Sequence, residues 1–297
     1  MVTKIKTQRS FIIGDQWLYY KIYTGFKTSD VILTEIIKPI TTELLKNNLI
    51  DKWFYIRYSD PKNHLRIRFH CSENKNIFEV INKLNPYLKE YLMSDLIWNI
   101  QIDTYQREIE RYGENTIELS EELFFHDSNM IIEFIDLIEG EEGEEIRWLF
   151  CLKAINKFLD DFRYSNREKL NLLENLKIGY ANEFDLTKVQ RIQVNSKYRN
   201  NRKIIEDFML YTIKDNEKYI EIEDLLNTKS DFTANIIKKI IDINKNETLN
   251  LNSFVSSHIH MLTNRLFKSK GRLNEMVIYD FLYRYIDSIE ARNKQRI

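Results

Sequence analysis

The pattern of apolar and polar residues changes character part-way along the chain. In the first part, apolar residues alternate with polar ones over about 15–24, 53–58, 64–70 and 98–105, which predicts strands. The first three of these strands could share one sheet. From about residue 119 onward, apolar residues recur almost throughout at the spacing of an amphipathic helix.

Residues that favour helix starts and breaks refine this pattern. Asp30 or Ser29 can cap a helix that is bent or restarted near Pro39, and Asp127 or Ser128 can cap a later one. Helical spacing predicts further helices over 75–95, 145–163, 167–178, 200–214, 232–244, 251–268 and 272–292. The predicted fold class is α+β: an N-terminal mixed sheet with helices, followed by a mostly helical C-terminal portion.

Breaks between domains are hard to find in this chain. Two short charged stretches, 140–145 and 195–201, are the candidates, and neither has the composition of a flexible linker. The sequence shows no internal repeat and no low-complexity segment. We therefore predict a single domain that spans residues 1–297.

Composition narrows the class of protein. The 297 residues are 43% hydrophobic and 30% charged, and 44 basic residues nearly balance 45 acidic ones, for a net charge of -1. This balance argues against direct binding of nucleic acid, and no apolar run approaches the roughly 18 residues of a membrane span. Cys71 and Cys151 lack the spacing of a zinc site or a disulfide framework. We expect a cytoplasmic protein without a metal site.

The strand predicted over 64–70 carries an unusual cationic face. Alternation places Leu65, Ile67 and Phe69 on one face and His64, Arg66, Arg68 and His70 on the other. Two interpretations stay open at this point. The charges can protect a sheet edge from aggregation, or the two guanidiniums can form a rigid receptor for a carboxylate or a developing oxyanion.

A second cluster lies in the segment QREIERYG, which ends at Gly113, a predicted turn residue. Glu108 and Arg111 are three residues apart and share a face if the segment is helical. Taken alone, the pair is typical of a solvated ion pair that adds a few tenths of a kcal/mol. A role in a site needs further support.

The third cluster is SSHIHMLTNRLF, residues 256–267. On a helix, His260 and Asn264 lie close to one face, while His258 points elsewhere and Arg265 follows Asn264. Asn264 could hold the imidazole of His260 by a hydrogen bond. A histidine in an apolar helix is often a packed core residue, yet His260 is the best general acid or base candidate in the chain.

These clusters, in this order, resemble the C-terminal elimination domain of the lantibiotic dehydratases, which also occurs alone as a thiopeptide-type bacteriocin biosynthesis protein. The matching segments are GDQWLYYKIYTG, WFYIRYSDPKNHLRIRF, TYQREIERYG with SEELFFHDS, and SSHIHMLTNRLF. Together they run from about residue 10 to residue 290. The resemblance therefore covers nearly the whole chain.

The resemblance implies that this chain removes glutamate from glutamylated Ser or Thr of a ribosomal precursor peptide, leaving dehydroalanine or dehydrobutyrine. It assigns proton transfer to His260, and binding of the glutamyl group with enolate stabilisation to Arg68 and Arg111. Substrate-binding roles fall on Arg66, Glu108, Asn264 and Arg265. The implied reaction needs no metal and no organic cofactor.

The resemblance also implies partners and alternatives. The large glutamylation domain of the family is absent from this chain, so we expect a separate subunit that glutamylates the precursor with glutamyl-tRNA. The sequence also allows a homodimer. One alternative is a thiopeptide pyridine synthase, which performs a formal [4+2] cycloaddition of two dehydroalanines and expels the leader peptide. Another is a non-catalytic subunit that binds the precursor peptide.

Overall fold

The computed structural model describes residues 7–138, 140–185, 187–210, 217–246 and 249–294. They form two compact units. Unit 1 comprises the described parts of 1–136 and 242–249, and unit 2 those of 137–241 and 250–297. The unit boundary lies just before the predicted break at 140–145, which forms the start of a helix. That unit 1 and unit 2 belong to one domain stays a prediction.

Unit 1 is built on a four-stranded antiparallel sheet beside a two-stranded one. Its strands are β1 Ser10–Phe11, β2 Trp17–Thr24, β3 Lys52–Tyr58, β4 His64–His70, β5 Ile97–Ile102 and β6 Tyr105–Gln106. The four strands predicted from the sequence are confirmed within a few residues as β2, β3, β4 and β5 with β6, whereas the two-residue strand β1 is not among the predictions. The four-stranded sheet has the order β3-β4-β2-β5, and β1 pairs with β6.

The position of β4 decides between the two interpretations of its cationic face. This strand pairs with β2 on one side and β3 on the other, so it lies inside the sheet. Arg68 stands opposite Tyr19 of β2 and Phe54 of β3. The edge-protection interpretation is therefore wrong, because β4 has no open hydrogen-bonding edge to protect.

The helices of unit 1 connect its strands or follow the last of them. They are α1 Phe26–Val31, a π-helical stretch Ile32–Ile37, α2 Lys38–Lys46, α3 Asn76–Met93, α4 Ile109–Tyr112 and α5 Ile117–Leu137. Pro39 lies in the first turn of α2, where its missing N–H costs little. The helical run from α1 through the π-helical stretch into α2 is therefore not interrupted at Pro39.

Two predicted caps are wrong for the same physical reason. Ser29 and Asp30 lie inside α1, whose N-cap is Gly25, because both side chains bind Arg57 of β3. The Arg57 guanidinium lies 2.6 Å from the Ser29 hydroxyl and 2.5 Å from the Asp30 carboxylate. Asp127 and Ser128 are likewise buried inside α5. A tertiary contact replaces the local capping interaction in each case: the Ser128 hydroxyl accepts a hydrogen bond from a backbone N–H of β3.

Unit 2 is helical in its described residues, as the sequence pattern predicts. Its helices are α6 Gly140–Asp161, α7 Asn166–Glu183, α8 Lys188–Met209, α9 Glu217–Asn246, α10 Leu251–Leu266 and α11 Gly271–Lys294, of which the end of α9 belongs to unit 1. The predicted break at 195–201 is wrong, since α8 runs through it. Tyr198 in this polar stretch is buried against Phe281, with ring centroids 5.4 Å apart. None of the helices traced in the described residues has the length and apolar character to cross a membrane.

Candidate functional site

Arg68 is a buried cation enclosed by aromatic rings. Its residue surface is only 8% exposed. The guanidinium carbon lies 4.4 Å from the ring centre of Tyr19, 5.0 Å from that of Tyr105 and 5.2 Å from that of Phe54. The negative faces of these rings stabilise the cation, although they fill none of its hydrogen-bonding positions.

The donors of Arg68 are incompletely used. Among the described residues, its buried Nε and Nη1 atoms have no hydrogen-bond partner. Burial lowers the pKa of Arg68, while Tyr19, Tyr105 and the Glu108 carboxylate raise it. An arginine stays protonated under these conditions. A buried cation with unfilled donors is costly by itself, and an oxyanion or carboxylate ligand would remove that cost.

A buried ion pair holds one wall of this aromatic cage. The hydroxyl of Tyr105 donates to Oε1 of Glu121 at 2.8 Å, and Glu121 is fully buried. Arg107 donates to both carboxylate oxygens of Glu121, at 2.8 and 2.7 Å. Arg107 and Glu121 were not among the residues singled out from the sequence. Both belong to segments of the family resemblance, but only the folded chain shows their pairing.

Arg66 lies two residues from Arg68 on the same face of β4. Its guanidinium carbon is 3.5 Å from the ring centre of Tyr58, and its Nε donates to Nε2 of His64 at 3.0 Å. The positive charge of Arg66 also lowers the pKa of Arg68. The face therefore presents two guanidiniums, one caged and one half-buried.

The predicted pairing of Glu108 with Arg111 is present. An Arg111 Nη1 atom lies 3.1 Å from Oε2 of Glu108, and the side chains are 44% and 59% exposed. An exposed pair of this kind contributes well under 1 kcal/mol to stability. The charge of Glu108 nevertheless acts on Arg68, so this carboxylate links the exposed Arg111 electrostatically to the caged arginine.

In unit 2, His260 is held by a carboxylate that the sequence analysis did not single out. Nδ1 of His260 lies 2.6 Å from Oε1 of Glu275 on α11, and the imidazole side chain is 29% exposed. The hydroxyl of Thr263 donates to the same oxygen at 2.8 Å. With Nδ1 engaged by Glu275, proton exchange with a substrate falls to the other ring nitrogen, Nε2.

Glu275 is suited to this supporting position. Its side chain is 1% exposed, and burial raises its pKa to about 9. At 2.6 Å the carboxyl and the imidazole can share a proton, so the two groups titrate as a pair. The sequence contained a signal for it, since Glu275 stands at helical spacing with the buried Ile278, Tyr279 and Leu282.

The remaining residues of α10 differ in accessibility. His258 is fully buried, and burial lowers its pKa well below the usual histidine value, with Arg265 and Lys229 adding to that shift. Its ring packs 4.6 Å from that of Phe254, which identifies it as a core histidine. Arg265 is also fully buried, whereas Asn264 is half-buried. Substrate roles for Arg265 and Asn264 stay predictions.

The predicted residues thus fall into two groups. Unit 1 carries the cationic cluster of Arg66, Arg68 and Arg111 with Glu108. Unit 2 carries His260 with Glu275, and its helix α10 also holds Asn264 and Arg265. One group can bind anions, and the other can move a proton.

Comparison with known proteins identifies the family of this chain. The family model described as the C-terminal region of the lantibiotic biosynthesis dehydratases matches residues 17–286. The chain belongs to this family. The match includes every predicted site residue, and it confirms the resemblance inferred from the sequence motifs.

Individual relatives of this lantibiotic dehydratase domain agree with that assignment. The subtilin biosynthesis protein SpaB of Bacillus subtilis is 26% identical over 273 residues, which cover 89% of this chain and 25% of SpaB. The nisin biosynthesis protein NisB of Lactococcus lactis subsp. lactis is 26% identical over 282 residues, which cover 93% of this chain and 26% of NisB. The chain spans about a quarter of the length of these curated relatives.

Solved structures share the fold. The tRNA-dependent lantibiotic dehydratase MibB from Microbispora sp. 107891 superposes with a TM-score of 0.74 at 18% identity, over 94% of this chain and 29% of MibB. The pyridine synthase TbtD from thiomuracin biosynthesis superposes with a TM-score of 0.64 at 9% identity, over 93% of this chain and 99% of TbtD. At these identities the likeness concerns the fold alone, so the chemistry has to be argued from the residues.

Proposed function

We propose that this chain catalyses the elimination of glutamate from glutamylated Ser or Thr residues of a ribosomally made precursor peptide. A base removes the α-proton, and the Cα–H electron pair forms the Cα–Cβ double bond. The Cβ–O bond breaks, and glutamate leaves as a carboxylate with the electron pair of the Cβ–O bond. The product is dehydroalanine from Ser or dehydrobutyrine from Thr.

The observation that carries this proposal is the caged Arg68. Loss of the α-proton places enolate charge on the neighbouring carbonyl, and preorganised donors in a desolvated setting stabilise such charge best. Arg68 offers Nε and Nη1 donors that no described residue fills, at a position shielded from water. Either an enolate oxygen or a glutamate carboxylate would complete its hydrogen bonding.

The neighbouring arginines suit the leaving group. A glutamyl ester keeps one free carboxylate, and guanidiniums bind carboxylates in a bidentate manner. We assign Arg66 and Arg111 to this carboxylate and to support of the enolate, with Glu108 orienting Arg111 through the 3.1 Å ion pair. Asn264 and Arg265 on α10 are assigned to substrate binding, as the family resemblance implies.

His260 supplies proton transfer in this scheme. Its unperturbed titration range lies near neutrality, which suits a general base for the α-proton or an acid for the departing carboxylate. Glu275 holds Nδ1 at 2.6 Å and stabilises the imidazolium that forms when Nε2 takes up a proton.

The proposal includes partners. MibB is a tRNA-dependent lantibiotic dehydratase, and it is much longer than this chain. By analogy, we propose that a separate subunit uses glutamyl-tRNA to glutamylate the precursor peptide, and that this chain receives the glutamylated product. It would need no cofactor, and it would act in the cytoplasm, where aminoacylated tRNA is available. A homodimer is compatible with this role.

The test is mass spectrometry of a glutamylated precursor peptide after incubation with the purified chain. We expect loss of the glutamate mass with wild-type protein and persistence of the glutamylated peptide with His260→Ala. Arg202→Lys, which alters an exposed arginine paired with Glu206 on α8, is the matched control and should act as wild type. An unchanged peptide mass with well-folded wild-type protein would sink the proposal.

The fold likeness to TbtD makes pyridine synthesis the second candidate. A separate incubation with a linear peptide that already contains two dehydroalanines examines it. Cyclisation with loss of the leader segment, together with inertness toward glutamylated peptide, would favour the synthase. Tight peptide binding without either reaction would favour the non-catalytic subunit.

A further inference from the structure

His64 is a buried histidine that the proposed reaction has not yet used. It opens β4, is 1% exposed, and makes two hydrogen bonds through its ring. Nδ1 lies 2.8 Å from the carbonyl oxygen of Lys62, and Nε2 lies 3.0 Å from Nε of Arg66. The second of these bonds joins His64 to Arg66, a residue of the proposed site.

The partners of His64 determine its protonation. The Lys62 carbonyl can only accept a hydrogen bond, so Nδ1 carries the proton. The Nε of Arg66 can only donate, so Nε2 offers its lone pair. His64 must therefore be the neutral Nδ1–H tautomer for both bonds to form. The ring is fixed in that orientation by stacking on Tyr23, with centroids 4.6 Å apart.

The bond from His64 settles which part of Arg66 faces a ligand. Tyr58 covers one face of the guanidinium at 3.5 Å, and His64 takes up Nε. Within the described residues, the side chain of Arg66 donates one hydrogen bond, from its Nε to Nε2 of His64. The paired Nη1 and Nη2 edge is thus the edge available for end-on, bidentate contact with a carboxylate.

The surroundings of His64 favour its neutral form. Burial lowers its pKa, and Arg66 of β4 and Lys21 of β2 add to that shift. The Lys62 carbonyl and the Asp60 carboxylate, both from the turn that leads into β4, act in the opposite direction. The other rings against it are those of Tyr23 and Tyr58, at 4.6 and 5.4 Å.

We propose that His64 is a positioning residue that holds Arg66 with its Nη edge toward the glutamyl carboxylate, and that releases this arginine when Nε2 of His64 becomes protonated. The inference rests on the elimination function proposed above and deepens it. Protonation would place an N–H against the Nε–H of Arg66 and set two cations side by side, so the guanidinium would leave this orientation. Binding of the glutamylated peptide would then weaken in acid.

The test compares His64→Leu, which removes the acceptor, with His64→Gln, whose Oε1 can replace Nε2 as acceptor. We expect His64→Leu to raise the Kd and KM for glutamylated peptide about 10-fold or more, in line with loss of a hydrogen bond to a charged group. The kcat should change little. His64→Gln should bind nearly as wild type at neutral pH.

Two further readouts separate positioning from a merely structural role. In an Arg66→Gln background, His64→Leu should have no additional effect on Kd, because the arginine through which it acts is gone. The wild-type Kd should rise as the pH falls below the ordinary histidine range, whereas that of His64→Gln should not rise there. If His64→Leu does not fold, the test uses His64→Gln instead. Its Kd is then measured as a function of pH, and in combination with Arg66→Gln.

The outcomes distinguish this inference from the proposed function. Kd is measured by calorimetry with a glutamylated peptide, with His260→Ala added to the wild type and to each variant so that the peptide is not turned over. A wild type that binds but eliminates nothing contradicts the proposed function, while the His64 comparison still supports or overturns the positioning role. A folded His64→Leu with wild-type Kd, an additive effect in the Arg66→Gln background, or an acid response retained in His64→Gln each overturns the role of His64.

Discussion

At the scale of single residues, the chemistry of this chain depends on two buried ionisable groups whose surroundings differ. Arg68 lies among three aromatic rings with two donors unfilled by the described residues. Glu275 is as deeply buried, yet it contacts His260, Thr263 and Arg272. The first arrangement favours an external anion, and the second tunes a histidine that is already in place.

Replacement of Arg68 should separate its charge from its geometry. We expect Arg68→Lys to keep the positive charge but lose the fork of donors, lowering kcat/KM for elimination about 100-fold, or about 3 kcal/mol, as for hydrogen bonds to charged groups. Arg68→Met should lose more. Steady-state kinetics with glutamylated peptide measure both, alongside the Arg202→Lys control. Equal activity of Arg68→Lys and wild type would contradict the assigned role.

The pKa of Glu275 has a consequence for stability. Burial raises it to about 9 in the folded protein, far above the value of an unfolded chain near 4.3. Its contribution is therefore fully present below about pH 4 and is lost as the pH rises toward 9. Glu275→Gln cannot ionise, so it does not lose stability in this way. The free energy of unfolding of Glu275→Gln minus that of wild type should therefore increase from pH 5 to pH 9.

Urea unfolding at several pH values measures the effect of Glu275→Gln. The slope should not exceed about 1.4 kcal/mol per pH unit, the limit for one proton. Glu73→Gln, at a side chain that is 60% exposed, is the control. A difference between Glu275→Gln and wild type that stays flat across this range would argue against a raised pKa.

At the scale of elements, strand pairing gives the arginines their surroundings. Alternation along β4 places Arg66 and Arg68 on one face, but the pairing of β4 with β2 and β3 brings Tyr19 and Phe54 beside Arg68. The turn at Gly113 plays the corresponding part for Arg111. It ends the four-residue helix α4, with a backbone φ of 79° that glycine adopts without strain.

Gly113→Ala should disturb this turn. An added Cβ would lie 2.6 Å from Oγ1 of Thr116, and the positive φ is unfavourable for alanine. We expect a loss of roughly 1–3 kcal/mol in the free energy of unfolding, with weaker elimination because Arg111 shifts. Gly179→Ala is the matched control, since its Cβ meets nothing within 4 Å on α7.

The glycine comparison is made by urea unfolding and by elimination kinetics. Gly179→Ala should be neutral or stabilising by up to about 1 kcal/mol, because alanine favours helices. If Gly113→Ala were as stable and active as Gly179→Ala, the turn would not be what positions Arg111.

At the scale of the whole molecule, both charge balance and family membership favour a peptide rather than a nucleic acid as the substrate. The family match spans unit 1 and unit 2, so both belong to the lantibiotic dehydratase region. The net charge of -1 provides no general attraction for a polyanion. Under the function proposed above, the chain would act on a peptide product without handling the tRNA that supplied its glutamate.

We therefore expect no appreciable binding of tRNA by this chain alone. Labelled glutamate-accepting tRNA should show no anisotropy change at physiological salt below about 1 µM protein, where even non-specific binding is weak. The glutamylated precursor peptide, under the same conditions, should bind. Tight tRNA binding with a steep dependence on salt concentration would instead indicate a phosphate-binding surface.

Much of the fold was predictable from the chain because periodicity is a local property. Alternation predicted β2 to β5, and helical spacing predicted the helices of unit 2. The helix caps were predicted at the wrong residues because tertiary contacts bind those side chains. Ser29 and Asp30 bind Arg57 across the sheet, a contact between residues far apart in sequence. Local capping rules contain no information about such partners.

By itself, the sequence determined the strand and helix periods, the shared face of Arg66 and Arg68, the spacing of Glu108 and Arg111, and the family. These features follow from neighbouring residues and motif order. Only the tertiary structure decided that β4 lies inside its sheet, that aromatic rings enclose Arg68, and that Glu275 meets His260. The physical reason is that burial and pairing depend on residues brought together from distant parts of the chain, where desolvation sets the charge of each group.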